Sequence, residues 1–365
     1  MTLATQQLSI GTLDDAIARL SSGEAELFHR LYRVIVTEGK LRTPPSMRPW
    51  VEKQFGSVAA VESQRIVRVT NRITMDDVLF NALRSQRPIQ MRDGARLMEM
   101  IETQHPNDPL GHPLEGTPED VFGRLQGKHS VTAANIAKLD SLSSLIVFDN
   151  YNPLEFNREQ VVDYITLGWS WAQQANAHDP SAVYYFFLWN CLWKAGASLL
   201  HGHAQMLLGR DMHYGKVERL RRDALGYQGD YGGSYFDDLF AVHRSLGLAF
   251  EKDGVRVIAS LTPVKEKETL ILAEPFDPEL PYKVYDVLSC FRDHLGVVSF
   301  NITLYQGPVG PVTEDWSGFP NIVHLLDRGD PTSQTADMGS MEIYAASVVA
   351  SDPFHVARAL HEAVL

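Results

Sequence analysis

The segment from Leu188 to Asp211, LWNCLWKAGASLLHGHAQMLLGRD, sets two histidines one residue apart inside an apolar, small-residue run. If His201 to Leu208 is a strand, its period of two puts His201, His203 and Gln205 on one face and Gly202 and Ala204 on the other. Three aligned polar groups in so apolar a strand need partners, because each buried group left unbonded costs about 1–3 kcal/mol. Three kinds of chemistry answer that need. Both histidines can be satisfied core residues. They can be two ligands of a metal, since HxH on a strand aims two imidazoles at one point. Or one can be a nucleophile, since neutral imidazole attacks phosphorus and a phosphohistidine splits one difficult transfer into two easier steps. Gly196 and Ser198, in a small-residue turn just upstream, add to the third reading because such a turn leaves backbone N–H groups free to cradle phosphate oxygens.

The elements that must position these residues show a repeated order. LSSLIVFDNYNPLEFNREQVVDYITLGWSWAQQANAHDPSAVYYFFLWN reads as an apolar strand, a proline turn, a long amphipathic helix and a second strand ending at Asn190. The same order returns as a strand from Glu268 to Ala273, a proline turn, a helix from about Pro281 to His294, and a strand through Asn301 to Tyr305. Repeated strand, helix, strand units predict an α+β protein with two related halves. The expected division is a helical accessory segment over 1–62, a first half over 63–235 and a second half over 236–365.

Whole-chain properties narrow the partners. With 365 residues and 44% hydrophobic composition the chain can bury one large core or two moderate ones. A net charge of -12 argues against general nucleic-acid binding, which needs a broad basic face, but leaves room for a phosphorylated small molecule held by a few local donors. Cys191 and Cys290 are the two cysteines, far apart and in no CxxC pair, so neither a disulfide framework nor a cysteine metal site is expected. No apolar run reaches the roughly 18 residues of a membrane span, and the acidic N-terminal stretch does not resemble a secretion signal. The expected location is the cytoplasm, away from membranes.

Asn190, Gly196, Ser198, His201, His203 and Gln205 are similar in type and spacing to the N-x(5)-G-x-S-x(2)-H-P-H-x-Q signature of the galactose-1-phosphate uridylyltransferases, a branch of the histidine triad superfamily; Gly202 stands in place of the usual proline. RITMDDVLFNALRSQRPI, with Arg84 and Arg87, resembles the family's segment ending in R-x-x-R-P, and LIVFDNYNP resembles the strand before its first long helix. The resemblance implies the histidine-triad-like fold of two tandem α+β halves, each with an antiparallel sheet packed by helices. It implies a nucleotidyltransferase in which His203 takes a nucleoside monophosphate from a nucleoside diphosphate sugar or a dinucleotide and passes it to a sugar 1-phosphate or phosphate. Gln205, where histidine triad hydrolases carry a third histidine, favours transfer over hydrolysis. Ser198, Gly196 and Asn190 would hold the phosphates, Arg84 and Arg87 would neutralise them, and Glu342, with His324 of the second half, would lie on the substrate side. Partner subunits often complete the site in this family, so a homodimer is expected.

Departures from the pattern bear on metal. Family members with zinc bind it through a Cys-x-x-Cys pair, a histidine after the first core strand and the first histidine of the signature. The cysteine pair is absent here and Asn152 falls at the histidine position, which leaves His201 alone. In the second half Ile322 replaces one of two paired histidines and His324 remains. Four ligands cannot be assembled from these, so the expectation is no metal and no cofactor, with His201 hydrogen-bonding a loop or a backbone carbonyl near His203. Three other functions stay open: a phosphorylase using inorganic phosphate as acceptor, a nucleotide-sugar binder without turnover, and a zinc hydrolase built on the HxH pair.

Overall fold

The computed structural model of the chain describes residues 8–86, 94–104, 108–333, 336 and 338–364. The N-terminal part runs α1 (Leu13–Ala18), α2 (Ser22–Leu31), β1 (Tyr32–Lys40), α3 (Arg48–Phe55), α4 (Val58–Glu62), β2 (Ser63–Asn71) and β3 (Asp77–Phe80). After α5 (Gly94–Gln104) and α6 (Pro113–Gly116) come β4 (Ser130–Ala134), β5 (Leu142–Phe148), α7 (Arg158–His178), β6 (Ala182–Asn190) and β7 (His203–Arg210). Helices α8 (Gly215–Tyr231) and α9 (Tyr235–Ser245) lead to β8 (Ala249–Lys252), β9 (Val255–Ala259), β10 (Thr269–Ala273), α10 (Leu280–Asp293), β11 (Phe300–Tyr305) and β12 (Asn321–Asp327). The chain closes with α11 (Ser340–Tyr344), β13 (Ser347–Val349) and α12 (Pro353–Val364).

The repeat read from the sequence is visible as a symmetric strand order. One sheet runs β4-β5-β7-β6-β11-β12-β10-β9-β8, so that β5-β7-β6 on one side mirrors β10-β12-β11 on the other, with α7 and α10 as the crossover helices. The halves meet where β6 pairs β11 antiparallel, Asn190 opposite Asn301 and Trp189 opposite Ile302. Joining there removes two exposed strand edges and makes one nine-stranded layer from two related units.

Side chains alternate along these strands, and the helices choose one face. Ala204, Met206 and Leu208 of β7 are fully buried on the side that carries α7. Phe148 stacks on Tyr164 of α7 at 3.6 Å between ring centres, and Trp189 meets Phe300 edge-on at 5.3 Å. Helix α7 starts on Asn157, whose side chain accepts the Gln160 N–H while Gln160 bonds back, which satisfies donors that would otherwise be orphaned. The opposite face bears His203, Gln205, Leu188, Asn190, Asn301, Thr303 and His324, because residues paired across an antiparallel ladder point to the same side. Most of these are only half-buried, so this face is open along its centre.

The first 62 residues are helical only in part. Val34, Ile35, Val36 and Thr37 are β-branched and sit in β1, which pairs residue for residue with β2 and extends through β3 to the parallel strand β13. This second sheet stands in front of the second half, tied to α9 by the bond from Asn71 Nδ2 to Tyr235 Oη at 2.8 Å. Among the described residues no helix is long and apolar enough to cross a membrane.

Candidate functional site

His203 opens β7 at a point where two constraints fix its ring. The strand pairs it with Val147 of β5, and the side chain is buried, 6% exposed. Its Nδ1 lies 2.7 Å from the carbonyl oxygen of His201. A carbonyl can only accept, so Nδ1 carries the proton and Nε2 of the neutral ring keeps its lone pair. Burial pushes the pKa of His203 below the ordinary histidine value, more than the bond to His201 raises it, so the ring stays neutral near pH 7. Among the described residues nothing bonds Nε2. Gln205, two residues on and half-buried on the same face, likewise has no hydrogen-bond partner for its amide among them.

His201 lies just outside that strand. The strand begins at His203, two residues later than the start at His201 expected from periodicity, with His203 and Gln205 on one face. Gly202 lies between the two histidines against the end of β5. A Cβ there would lie 2.7 Å from Phe148 Cδ2 and 2.9 Å from the Asn150 carbonyl, and its N–H donates to Tyr151 O at 3.0 Å, so the backbone packs directly on the end of β5. Neither feature tolerates proline, which would supply a Cβ and no N–H. His201 is clamped from both sides. Its Nε2 donates to Phe148 O at 2.9 Å, and its Nδ1 bonds the Asp108 carboxylate. The carbonyl partner matches the type of bond expected for His201; Asp108, whose side chain is 8% exposed, was not foreseen.

These contacts decide whether the residues fit the zinc that the resemblance brings to mind. A nitrogen that donates to a carbonyl has no lone pair for a metal, and the other nitrogen of His201 is taken by Asp108. Asn152, fully buried, gives its Nδ2 to Glu155 and accepts Leu154 N–H. The set does not fit a tetrahedral zinc. Among the described residues no three His, Cys, Asp or Glu side chains converge as a metal site would need.

The small-residue turn sits beside Asn190. Leu192 leads into it with φ 68° and ψ 168°, a region nearly confined to glycine, although Leu192 is buried at 1% exposure. Gly196 follows at φ 100°, and a Cβ built on it would be 3.8 Å from Asn190 Nδ2. Ser198 is exposed on the same turn. Asn190 Oδ1 accepts from Asn301 Nδ2 at 2.6 Å; Asn301 Nδ2 also reaches Ala195 O at 2.8 Å, and Asn301 Oδ1 accepts from Arg328 at 2.6 Å. Asn301 and Arg328 come from the second half. Nothing in the spacing around Asn190 points to them, and the available signal was the strand register that sets Asn301 opposite Asn190.

The other candidate residues are scattered. His324 lies on the same sheet face but three strands from Gln205, through Leu188 and Thr303, a span of about 14 Å at ordinary strand spacing. Both its nitrogens are engaged, with Tyr305 Oη at 2.8 Å and Glu268 at 2.9 Å. Glu342 is in the first turn of α11 and accepts the Gly339 N–H at 2.9 Å. Burial raises its pKa, but the Gly339 bond and the charges of Lys265 and Arg84 outweigh it and hold the carboxyl low, which makes Arg84 a neighbour of Glu342. Arg87 lies outside the described residues.

No protein-family model matches the chain, and no curated protein matches it. Solved structures do. An ADP-glucose phosphorylase from Arabidopsis thaliana, with bound ADP-glucose, superposes with a TM-score of 0.62 at 14% identity over 82% of this chain and 99% of its own. A galactose-1-phosphate-uridylyltransferase-like protein from the same plant gives 0.56 at 14% identity over 71% and 98%, and a uridylyltransferase gives 0.54 at 13% over 68% and 88%. The chain therefore has the fold of the galactose-1-phosphate uridylyltransferase branch of the histidine triad superfamily.

Proposed function

We propose that the protein is a nucleotidyltransferase that moves a nucleoside monophosphate from a nucleoside diphosphate sugar to a phosphate-bearing acceptor through a covalent nucleotidyl-histidine at His203. The single observation that carries this reading is the donation of His203 Nδ1–H to the His201 carbonyl, which leaves a neutral ring with Nε2 as an unprotonated, unbonded nucleophile on the sheet face that also bears Gln205. Nε2 attacks the α-phosphorus, the bond from phosphorus to the bridging oxygen breaks, and the sugar phosphate leaves with the electron pair. Positive charge developing on the ring is spread into the Nδ1–H bond to the carbonyl. In the return step an oxygen of the acceptor phosphate attacks phosphorus, the P–N bond breaks and the lone pair returns to Nε2. Asn190, Gly196 and Ser198 would hold the phosphate oxygens and Gln205 would orient the bound phosphoryl group, supported by their shared face and turn. Arg84 and Arg87 would offset its charge.

The fold likeness to an ADP-glucose phosphorylase and to uridylyltransferases supports this class of donor. Both kinds of acceptor, a hexose 1-phosphate and inorganic phosphate, use the same attacking group. The test is to incubate the protein with ADP-glucose or UDP-glucose labelled in the nucleoside, without acceptor, and quench in alkali. About one label per chain should be retained as an alkali-stable, acid-labile phosphoramidate. Adding inorganic phosphate or glucose 1-phosphate should release it, and the acceptor that does so faster names the reaction. Free nucleoside monophosphate formed at full rate in water alone would instead make the protein a hydrolase, and absence of any bound label would leave a binder.

A further inference from the structure

The hydrogen bonds around Asn190 have a direction. Arginine cannot accept a hydrogen bond, so the Asn301 atom 2.6 Å from Arg328 Nη1 must be the oxygen. The Ala195 carbonyl cannot donate, so the Asn301 atom 2.8 Å from it must be the nitrogen, and both ends of the amide agree. The second hydrogen of that nitrogen goes to Asn190 at 2.6 Å, and the atom receiving it must be Oδ1. The acceptor of Asn190 is thereby used, and its Nδ2 is turned toward the turn at Gly196. Among the described residues Nδ2 has no partner. The same part of the second half also grips the turn elsewhere, through Trp193 Nε1 to Pro331 O at 2.8 Å.

We infer that Asn301, held by Arg328, is a positioning residue that fixes the Asn190 amide with its two N–H donors facing the bound phosphate. The second half thus contributes to the first-half site without touching substrate: the inability of one cation to accept a hydrogen bond is transmitted through two amides as a polarity. A flipped Asn190 would aim a carbonyl oxygen at an anionic oxygen. The inference rests on the nucleotidyl-transfer reading for its kinetic arm, and on phosphate binding alone for its other arm.

The experiment is a double-mutant cycle on the full chain with Asn190→Ala, Asn301→Ala and both together, reading the rate of covalent labelling from nucleoside-labelled ADP-glucose and the affinity for ADP by calorimetry. Asn301→Ala should slow labelling about tenfold, and in the Asn190→Ala background the same change should cost less than about twofold, because its effect passes through Asn190. Asn301→Asp, the same shape without donors, should be slower than Asn301→Ala with an equal or higher melting temperature, an order that a merely structural role would reverse. It also keeps the test alive if the alanine variant folds poorly. Equal losses from Asn301→Ala with and without Asn190, or an aspartate variant faster than the alanine one, would overturn the inference. If wild type takes no label yet ADP affinity follows the cycle, the transfer reading falls and this inference stands; labelling without coupling between the two asparagines sinks this inference and leaves the transfer reading.

Discussion

β7 and β12 occupy equivalent places in the two halves, and each carries a histidine on the same sheet face. His203 is followed at the next same-face position by Gln205, His324 by Leu326. His203 spends one nitrogen on a backbone carbonyl and leaves the other bare, with an unpartnered amide alongside. His324 bonds Tyr305 on one side and Glu268 on the other, and Glu268 is further held by the Val264 N–H at 2.8 Å. The fold supplies the address twice, and what distinguishes a reactive imidazole from a structural one is how many of its nitrogens the surroundings consume. In the first half the neighbouring turn is built of small residues beside Asn190. In the second half the equivalent surface is closed by α8, α9 and the N-terminal sheet around a cleft of about 90 Å³ lined by Tyr32, Asn71, Asp76, Tyr235, Glu268 and His324.

The difference should be largest when the two histidines are removed in turn. His203→Asn should reduce covalent labelling and turnover by at least about 10³-fold while leaving ADP binding and the melting temperature nearly unchanged, because the nucleophile itself is gone. His324→Asn should lower the melting temperature by breaking the Tyr305 and Glu268 bonds but slow labelling less than about tenfold, since it lies three strands away. Labelling kinetics and thermal melts on both variants check this. An active His203→Asn enzyme, retaining more than a few percent of turnover, would put the nucleophile elsewhere.

Much of this is legible in the sequence because it depends on local pattern. The apolar run Leu142–Phe148, the long amphipathic helix α7 and strand β6 ending at Asn190 follow from periodicity, and the second-half strand and helix fall within a residue or two of their expected ends. The asymmetry of the site was less legible. His201 and His203 look alike at a spacing of two, yet both nitrogens of His201 are taken, by Phe148 O and by Asp108 from a loop far away in the sequence, while His203 bonds at one nitrogen. Asp108, Asn301 and Arg328 are ordinary polar residues in sequence whose roles exist only through register and loop packing. β1 was hidden because its β-branched run is short and sits among helices.

A second comparison is available in the buried histidines of the two covering layers. His213 follows β7, and burial takes it down to about 4; His243 on α9 is also pushed down to about 4 by burial. Each ring is neutral in the folded state: His213 Nδ1 accepts the Tyr214 N–H, and His243 donates to Leu239 O while accepting the Leu261 N–H at 3.2 Å. An unfolded histidine titrates near 6.5, so between about pH 6.5 and 4 the unfolded chain binds more protons and stability falls as pH falls. Each site can remove up to about 3 kcal/mol across that window, and denaturant melts at pH 7 and pH 5 should show it. His243→Gln should reduce the slope by about one proton, and the same slope in that variant would mean that His243 is not buried neutral.

Gly202→Ala tests the backbone that separates His201 from His203. Its Cβ would need Phe148 and the Asn150 carbonyl to give way, and Phe148 is stacked on Tyr164, so the strand end has little room to move. A stability loss of about 1–3 kcal/mol is expected, with labelling slowed as well because the His201 carbonyl that holds His203 shifts with the chain. Urea melts and labelling rates together decide it, and an alanine variant as stable as wild type would show that the close contact relaxes without cost.

The smallest effect should come from making the first half more like the second at one position. Gln205→Leu places on β7 the residue that β12 carries at Leu326, leaving His203 and its bond to His201 intact. The leucine cannot hydrogen-bond the phosphoryl group attached to His203, so orientation for in-line attack is lost while the nucleophile survives. Labelled enzyme should still form, but its discharge by inorganic phosphate or glucose 1-phosphate should slow about tenfold, the equivalent of one good hydrogen bond. Gln205→His makes the complementary change: a third imidazole near the phosphoryl group can accept a proton from water, which the amide cannot, so the labelled enzyme should empty faster with no acceptor present. Single-turnover discharge measured with and without acceptor separates the two effects. If Gln205→Leu discharges at the wild-type rate, the amide beside His203 has no part in positioning the phosphoryl group, and the contrast between β7 and β12 reduces to the histidines alone.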